Sequence, residues 1–269
     1  MNGVFAEDLH GSESLSDREL FVFAAKGWIG PFPLLSKRGV EAACAARNAS
    51  THLFRGEGEL AECRAANAFD DLLWFKSLHA RVPLFAEIAS HPALVCRLNQ
   101  LLGTDVMLWG SSVTVREPGQ VHRWHVDVEH RMWRGITAFI GLENIAPGSS
   151  LKVISGSHLV GTMPQELRVT DDQSATAAAK KVNVRDPVVV EVDLGPGQFF
   201  LFDGPLWHGS QNRTSQTRMA VLAQYARPDA RVAIPLTSDQ PIRRHPSRPP
   251  CLMVSGTDRF AINAMLQPT

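Results

Sequence analysis

The chain has 269 residues, of which 44% are hydrophobic and 20% are charged, and this is enough apolar material for one large core. Its 27 basic residues balance its 27 acidic residues, so the net charge gives no support to a nucleic acid or an anionic membrane as the main partner and favours a small-molecule substrate. The four cysteines are scattered without a CxxC pair, which indicates buried thiols in a reducing compartment.

The first residues contain no basic segment followed by an apolar run, as a secretory leader would. No later stretch approaches the roughly 20 apolar residues that span a bilayer. We therefore expect a cytoplasmic protein that does not cross a membrane.

Strong helix formers with apolar residues at helical intervals fill the first part of the chain, from about residue 16 to residue 102. The predicted helices are Arg18–Lys26, Lys37–Arg47, Asn67–His79 and Val82–Leu102. Ser36 is expected as an N-cap, and Pro92 is expected in the first turn of a helix. Between the first two helices, Gly30–Pro33 predicts a turn or an extended link.

Short β-branched and aromatic runs separated by glycine and proline occupy residues 104 to 230. The predicted strands include Val106–Trp109, Ile136–Ile140, Val188–Val192, Gln198–Phe202, Leu206–Ser210 and Arg218–Ala226. This pattern predicts a mainly β fold with N-terminal helices, in which the strands form a double-sheet jelly roll or a barrel. Residues 231 to 269 are expected to form a C-terminal tail of the same single domain.

The polar, alanine- and lysine-rich segment 162–186 interrupts the strand pattern. It predicts a surface insertion that carries a short helix. Two roles are open for it: a solvated connection and a mobile lid over a site.

One short segment places metal-binding side chains at a suitable spacing. His125 and Asp127 are separated by one residue, and alternate side chains of a strand share a face, so both can point at the same ion. His208 lies 83 residues later on another short strand, which a jelly roll can fold beside the first. Two imidazoles and one carboxylate on one side of a metal are the arrangement of non-haem iron(II) oxygenases. His122 is an odd number of steps from His125 and is expected on the opposite face of a regular strand.

Arg218 follows His208 by ten residues and begins an apolar strand. A buried charge at the start of a core strand requires a partner, because an unpaired one is costly. A dicarboxylic acid would be such a partner, since the planar guanidinium fork suits a carboxylate, and Ser210 could add a hydroxyl donor. A salt bridge to a carboxylate of the protein is the alternative.

Four short motifs occur together with this arginine. They are His125-Val126-Asp127, Ser155-Gly156-Ser157-His158, Gly195-Pro196-Gly197 and Trp207-His208-Gly209-Ser210. With them the chain resembles the phytanoyl-CoA dioxygenase family over most of its length, from Gly27–Leu35 to Arg248–Gly256. The resemblance implies a single catalytic domain with a double-stranded β-helix. The chain departs from the common pattern of the family at Ser155 and Val126. These departures argue against assigning the family's acyl-CoA specificity to this chain.

The resemblance also implies roles for individual residues. The two histidines and the aspartate named above would bind Fe(II), and 2-oxoglutarate and dioxygen would be the cosubstrates. Arg218 and Ser210 would bind the C5 carboxylate of 2-oxoglutarate, and Phe139 matches the position of an aromatic residue that lines its pocket. Because Asp127 occupies the position that related halogenases leave to chloride, we expect hydroxylation, desaturation or oxidative ring closure.

Residues close to the ligands in sequence are candidates for substrate contacts, namely Trp124, Glu129, His130, Trp133 and Trp207. Flat apolar faces beside hydrogen-bonding groups suit a polar small molecule, such as a sugar-containing specialised metabolite, better than an acyl chain. The alternative for the tryptophans is a place in the core.

Two other functions use the same strands. A cupin-like metalloenzyme would not use 2-oxoglutarate, and Arg218 with Ser210 argues against it. A non-catalytic jelly-roll binding protein would not need three metal ligands.

Overall fold

The structure is a computed structural model that describes residues 3–6, 14–50, 76–128, 133–234 and 248–266. Its helices are Asp17–Lys26 (α1), Lys37–Ala49 (α2), Pro83–Ala89 (α3), Pro92–Leu102 (α4) and Asp172–Lys181 (α5). Its strands are Trp28–Pro33 (β1), Val106–Arg116 (β2), Val121–His125 (β3), Gly135–Glu143 (β4), Leu151–Ile154 (β5), Val189–Glu191 (β6), Gln198–Asp203 (β7), His208–Gln211 (β8), Arg218–Ala226 (β9), Pro250–Ser255 (β10) and Ala264–Met265 (β11).

Side-chain caps fix where the N-terminal helices begin. Ser16 and Glu19 form a reciprocal capping box at the start of α1, and Ser36 accepts a hydrogen bond from the backbone N–H of Gly39 at the start of α2. The expected single helix Val82–Leu102 is two helices, because Pro92 begins α4 after a break at Ser90. The expected helix Asn67–His79 lies outside the described residues except for its last four positions. None of the described helices has the length and apolar character needed to cross a bilayer.

The strands form two sheets, which confirms the predicted double-stranded β-helix. The larger sheet has the order β1-β7-β4-β9-β2-β10-β11, and the smaller sheet has the order β3-β8-β5-β6. Strands that are neighbours in a sheet are far apart in sequence, as in the pairing of β2 with β9. This topology brings β3 next to β8, and with them the two halves of the predicted metal site.

The segment Gly30–Pro33, predicted as a turn or link, belongs to strand β1. It pairs with β7 at the edge of the larger sheet, and its register shifts between Ile29 and Phe32. Prolines lack the N–H that a central strand needs, but an edge strand tolerates them on its open side. Local sequence predicted an interruption, whereas the position in the sheet determines the strand.

The larger sheet buries both of its faces. Along β7, Phe199 and Leu201 pack against the N-terminal helices, while Phe200 and Phe202 point towards the smaller sheet. This alternation follows from the two-residue period of a strand. The space between the two sheets therefore contains a core of its own, and the predicted site residues lie at its edge.

Helix α5 packs on the outer face of the smaller sheet. Ala175 and Ala179 are completely buried there, in a cluster with Trp124, Ile154 and Trp207. Asp171 caps the helix, and Lys152 of β5 donates a hydrogen bond to Asp172 at 2.5 Å. The short helix expected in the insertion 162–186 is thus present, and its small apolar residues pack on the outer face of the smaller sheet.

Candidate active site

The side chains of His125, Asp127 and His208 meet on the inner face of the smaller sheet. The Nε2 atoms of His125 and His208 lie 3.7 and 3.5 Å from Oδ1 of Asp127. One ligand atom from each residue lies within 4.8 Å of the others, and among the described residues this is the one such group of three. Two adjacent ligands of a single ion are roughly 3 Å apart at ordinary metal–ligand distances, so small side-chain movements would allow all three to bind it.

Hydrogen bonds orient each of the three side chains. Nδ1 of His125 donates to the carbonyl of Arg123 at 2.8 Å, and Nδ1 of His208 donates to the carbonyl of Leu206 at 2.9 Å. A carbonyl can only accept, so Nε2 of both rings keeps its lone pair for a metal. Thr137 donates to Oδ2 of Asp127 at 2.7 Å, which leaves Oδ1 for the ion.

The protonation states of the site suit a metal. Burial lowers the pKa of His125 to about 3, and the neighbouring His208 adds to this effect. Burial alone would raise the pKa of Asp127, but His208 and His125 outweigh it and hold that pKa well below its usual range. A neutral imidazole and an ionised carboxylate are the forms that coordinate a cation.

A narrow cavity leads from the two histidines to Arg218. The arginine and Thr114 lie at its far end, and its walls are apolar. These walls are formed by Phe139, Leu151, Phe202 and Leu222. The Arg218 guanidinium carbon lies 5.6 Å from the centroid of the Phe139 ring. A short apolar passage between two metal-ligand histidines and a cation has the polarity that a small dicarboxylate would need.

Two buried polar atoms at the Arg218 end have no hydrogen-bond partner among the described residues. They are Nε of Arg218 and Oγ of Ser210, although Nη1 of the arginine donates to the carbonyl of Ser149 at 3.2 Å. Ser210 is the strand partner of Leu151, which lines the cavity. Buried donors without acceptors are costly, and the carboxylate of 2-oxoglutarate would provide acceptors for both.

A second arginine adds to the positive charge at this end. Arg116 of β2 is directly paired with Arg218 of β9. Burial lowers the pKa of Arg218 to about 9, and Arg116 contributes to this shift. Like charges directly opposite each other on a sheet are destabilising unless an anion lies between or beside them. The sequence around Arg218 did not reveal Arg116, which lies at the end of a different strand, β2.

His122 differs from its sequence-based expectation. A regular strand would direct it away from His125, but the pairing of β3 with β8 shifts register between these two residues. The irregularity brings their ring centroids to 4.2 Å, and His122 lines the same cavity. A bulge inserts a residue and re-aims the side chains beyond it, which a two-residue period cannot predict.

Trp124 and Trp207 face away from the metal residues. Both lie in the cluster beneath α5 and are at most 4% exposed. The Trp207 indole donates to the carbonyl of Thr162 at 2.7 Å, and the Trp124 indole donates to Asp172 at 3.3 Å. We therefore correct their expected substrate role to a core role, because each is adjacent to a ligand in sequence and so lies on the opposite face of its strand.

Trp133 lies at the other end of the space between the sheets. It is 7% exposed and stacks edge-to-face on Trp109 at a centroid distance of 5.5 Å. Glu129 and His130 lie outside the described residues. Three of the predicted substrate residues belong to the part of the chain that the structure describes. Of these, Trp124 and Trp207 lie in the cluster under α5, and Trp133 does not.

Comparison with known proteins shows the family and the fold of the chain. The family model for phytanoyl-CoA dioxygenase matches residues 23–220. No curated protein sequence matches the chain significantly. Three solved structures of similar fold have the following sequence identities and coverages. "CytC3 with Fe(II) and alpha-ketoglutarate" is 17% identical with a TM-score of 0.61, and the match covers 94% of this chain and 93% of that one.

The second is EctD from S. alaskensis "with 2-oxoglutarate and 5-hydroxyectoine". It is 23% identical with a TM-score of 0.61 and coverages of 92% and 90%. The third is described as "non-heme alpha ketoglutarate dependent carbocyclase SnoK from nogalamycin biosynthesis". It is 19% identical with a TM-score of 0.57 and coverages of 80% and 85%. At these identities the likeness shows a shared fold.

Proposed function

The chain belongs to the phytanoyl-CoA dioxygenase family, and on that premise we propose that it oxidises a C–H bond of a polar small molecule. It is an iron(II)- and 2-oxoglutarate-dependent dioxygenase, with the cosubstrates of that family. The observation that carries the proposal is the cavity that His125 and His208 line together with the buried Arg218, with Asp127 grouped beside the two histidines.

Each described residue has a role in this proposal. His125, Asp127 and His208 hold Fe(II), and the backbone carbonyls and Thr137 keep their ligand atoms directed at it. Arg218 and Ser210 bind the C5 carboxylate of 2-oxoglutarate, and Phe139 lines the wall beside it. With iron bound, the site would reduce dioxygen at the expense of 2-oxoglutarate, which leaves as succinate and carbon dioxide. The apolar walls exclude water from this passage.

The carboxylate at Asp127 favours oxygenation over halogenation. It lies between the two histidines and occupies the position that a halide would need on the metal. We infer hydroxylation, desaturation or oxidative ring closure of the substrate. Related folds include a hydroxyectoine-bound enzyme and a carbocyclase, which supports these outcomes without selecting one.

The substrate is inferred to be a polar metabolite, and a sugar-containing specialised metabolite remains the leading candidate. A CoA group would favour a strong basic patch, whereas the chain has zero formal net charge. The short basic segment 243–248 lies outside the described residues except for Arg248, which donates to the carbonyl of Val232. The biosynthetic origin printed for the carbocyclase supports specialised metabolism.

A substrate panel tests the proposal. Purified protein is incubated with iron(II), ascorbate and 2-oxoglutarate, and succinate is measured with glycosylated metabolites, amino acids or acyl-CoA esters. Products are identified by mass spectrometry. The proposal expects stimulation by a polar metabolite and a product altered by one oxygen or two hydrogens. Efficient turnover of an acyl-CoA ester alone would contradict the substrate class. Metal-dependent turnover without 2-oxoglutarate would favour a cupin-like enzyme.

A further inference from the structure

A polar pair lies on the inner face of the larger sheet, at the opposite end from Arg218. Nζ of Lys76 donates to Oε1 of Gln224 at 3.2 Å. Gln224 is only 2% exposed, and Lys76 is half-buried. Along β9, Gln224 is six residues after Arg218 and therefore shares its face of the strand, about 20 Å further along.

Direct contacts connect this pair to the metal residues. Gln224 is the strand partner of Thr137, and Thr137 donates its hydroxyl hydrogen to Asp127. Leu222, between Arg218 and Gln224 on the same face, lines the cavity beside His125 and His208. The metal site therefore lies between the two polar ends, with Arg218 on one side and the Lys76–Gln224 pair on the other.

The positive charge of Lys76 reaches the metal ligands. Burial and the charges within the triad have the largest effects on the pKa values of His125 and Asp127, and Lys76 lowers both further. This dependence agrees with the contacts that connect Lys76 to Asp127 through Gln224 and Thr137.

The structure keeps space for the Gln224 amide. Gly110 of β2 is its partner on the other side, and a Cβ atom at Gly110 would lie 2.9 Å from Oε1 of Gln224. The carbonyl of Lys76 accepts a hydrogen bond from the N–H of Ser111 at 2.7 Å, which holds the lysine backbone beside this glycine. The amide and the ammonium are thus positioned together by β2 and β9.

We propose that Lys76, positioned by Gln224, binds a carboxylate of the substrate on the side of the metal opposite Arg218. The inference rests on the proposed function, because it takes Arg218 as the cosubstrate anchor and so leaves the other end to the substrate. A carboxylate would accept from the ammonium of the half-buried Lys76 and from the amide N–H of the buried Gln224. Lys76 is then a specificity residue that selects acids over their neutral analogues.

The test uses two fluorinated probes of equal shape. Protein loaded with cobalt(II) and saturated with 2-oxoglutarate is titrated with trifluoroacetate and with neutral trifluoroacetamide. Paramagnetic relaxation of the ¹⁹F signal measures how tightly each probe binds near the metal. We expect the wild type to bind trifluoroacetate at least tenfold more tightly than the amide. Lys76→Met should remove this difference, and Lys76→Arg should keep most of it.

Lys180→Met, which removes an exposed lysine of α5, is the matched control and should behave as the wild type. Circular dichroism verifies the fold of each variant. Equal binding of the two probes by the wild type, or a preference that survives Lys76→Met, would overturn the inference. So would a Lys76→Met variant that loses cobalt affinity while its preference for trifluoroacetate is unchanged. Failure of the proposed function is distinguished by a separate result, the absence of 2-oxoglutarate binding to the metal-loaded wild type.

Discussion

The hydroxyl of Thr137 decides which oxygen of Asp127 is available to a metal. It donates to Oδ2, while Oδ1 lies near both imidazoles. Loss of such an outer hydrogen bond typically weakens metal affinity about 10- to 100-fold. We therefore predict that Thr137→Val weakens iron(II) binding within that range, whereas Asp127→Ala abolishes it. Competition with a metal-sensitive dye measures both constants, and unchanged affinity in Thr137→Val would contradict the role of the hydroxyl.

Arg218 is predicted to act on 2-oxoglutarate without acting on iron. Hydrogen bonds to charged groups contribute about 1.5–3 kcal/mol, which corresponds to about 10- to 100-fold in affinity. Arg218→Ala should therefore raise the Kd of 2-oxoglutarate by that factor, measured by calorimetry on metal-loaded protein. Arg213→Ala is the control, because its ion pair with Glu191 is partly exposed and Arg213 does not line the cavity that contains Arg218. Equal effects of the two substitutions would exclude Arg218 as the anchor.

For individual residues, the sequence could predict the direction of a side chain where that direction follows from the regular two-residue period of a strand. Asp127 lies two residues after His125, just beyond the end of β3, and still meets it at the candidate metal site, while Thr137 and Phe139 share one face of β4. Thr137 could have been identified by this rule. His122 could not, because the register shift in β3 arises from pairing with β8 and leaves no local sequence signal.

Among the elements, helix α5 stabilises the sheet that carries the metal ligands. Trp207 is fully buried beneath it, one residue before His208. Replacement of a large buried aromatic residue by alanine typically costs about 3–5 kcal/mol. Trp207→Ala should therefore lower the free energy of unfolding by about that amount, measured by urea denaturation. Leu159→Ala, at a residue that is 68% exposed, should change it little. A stable Trp207→Ala protein that had lost only activity would instead indicate a substrate role.

The elements show where local sequence loses its predictive value. Residues that cap or begin helices, such as Ser36 and Pro92, acted as expected. Strand β1 was missed because the tolerance for proline depends on its place at the edge of the sheet. The location of α5 on the outer face of the smaller sheet could not be predicted from the sequence either, since an amphipathic helix does not specify which sheet it covers.

The whole molecule should be stabilised by its ligands in two steps. Metal binding joins β3 to β8, and 2-oxoglutarate would then add contacts between β8 and β9. A ligand at about 100 times its Kd adds about 2.7 kcal/mol, or about 5–10 °C in Tm for a chain of this size. Calorimetry should show one increase in Tm when metal is added and a second increase in Tm when 2-oxoglutarate is added. Arg218→Ala should keep the first and lose the second, and loss of both would indicate a wider structural defect.

The two-sheet architecture itself was predictable from short strands with frequent turns, because these features are repeated along the chain. The sequence did not predict which polar groups lie at each end of the space between the two sheets. This distribution depends on which strands become neighbours, as with β2, β4 and β9, which bring Arg116 beside Arg218 and Thr137 beside Gln224.

The proposed enzyme uses a metal held by three residues together with 2-oxoglutarate. The most direct measurement is iron(II)-dependent conversion of 2-oxoglutarate to succinate and carbon dioxide, compared between the wild type and Asp127→Ala under identical conditions. We predict equal amounts of both products from the wild type, none without iron, and loss of at least 100-fold in the variant. Turnover by Asp127→Ala at the wild-type rate, or a wild type that binds iron and leaves 2-oxoglutarate unchanged with every substrate class tested, would contradict the account.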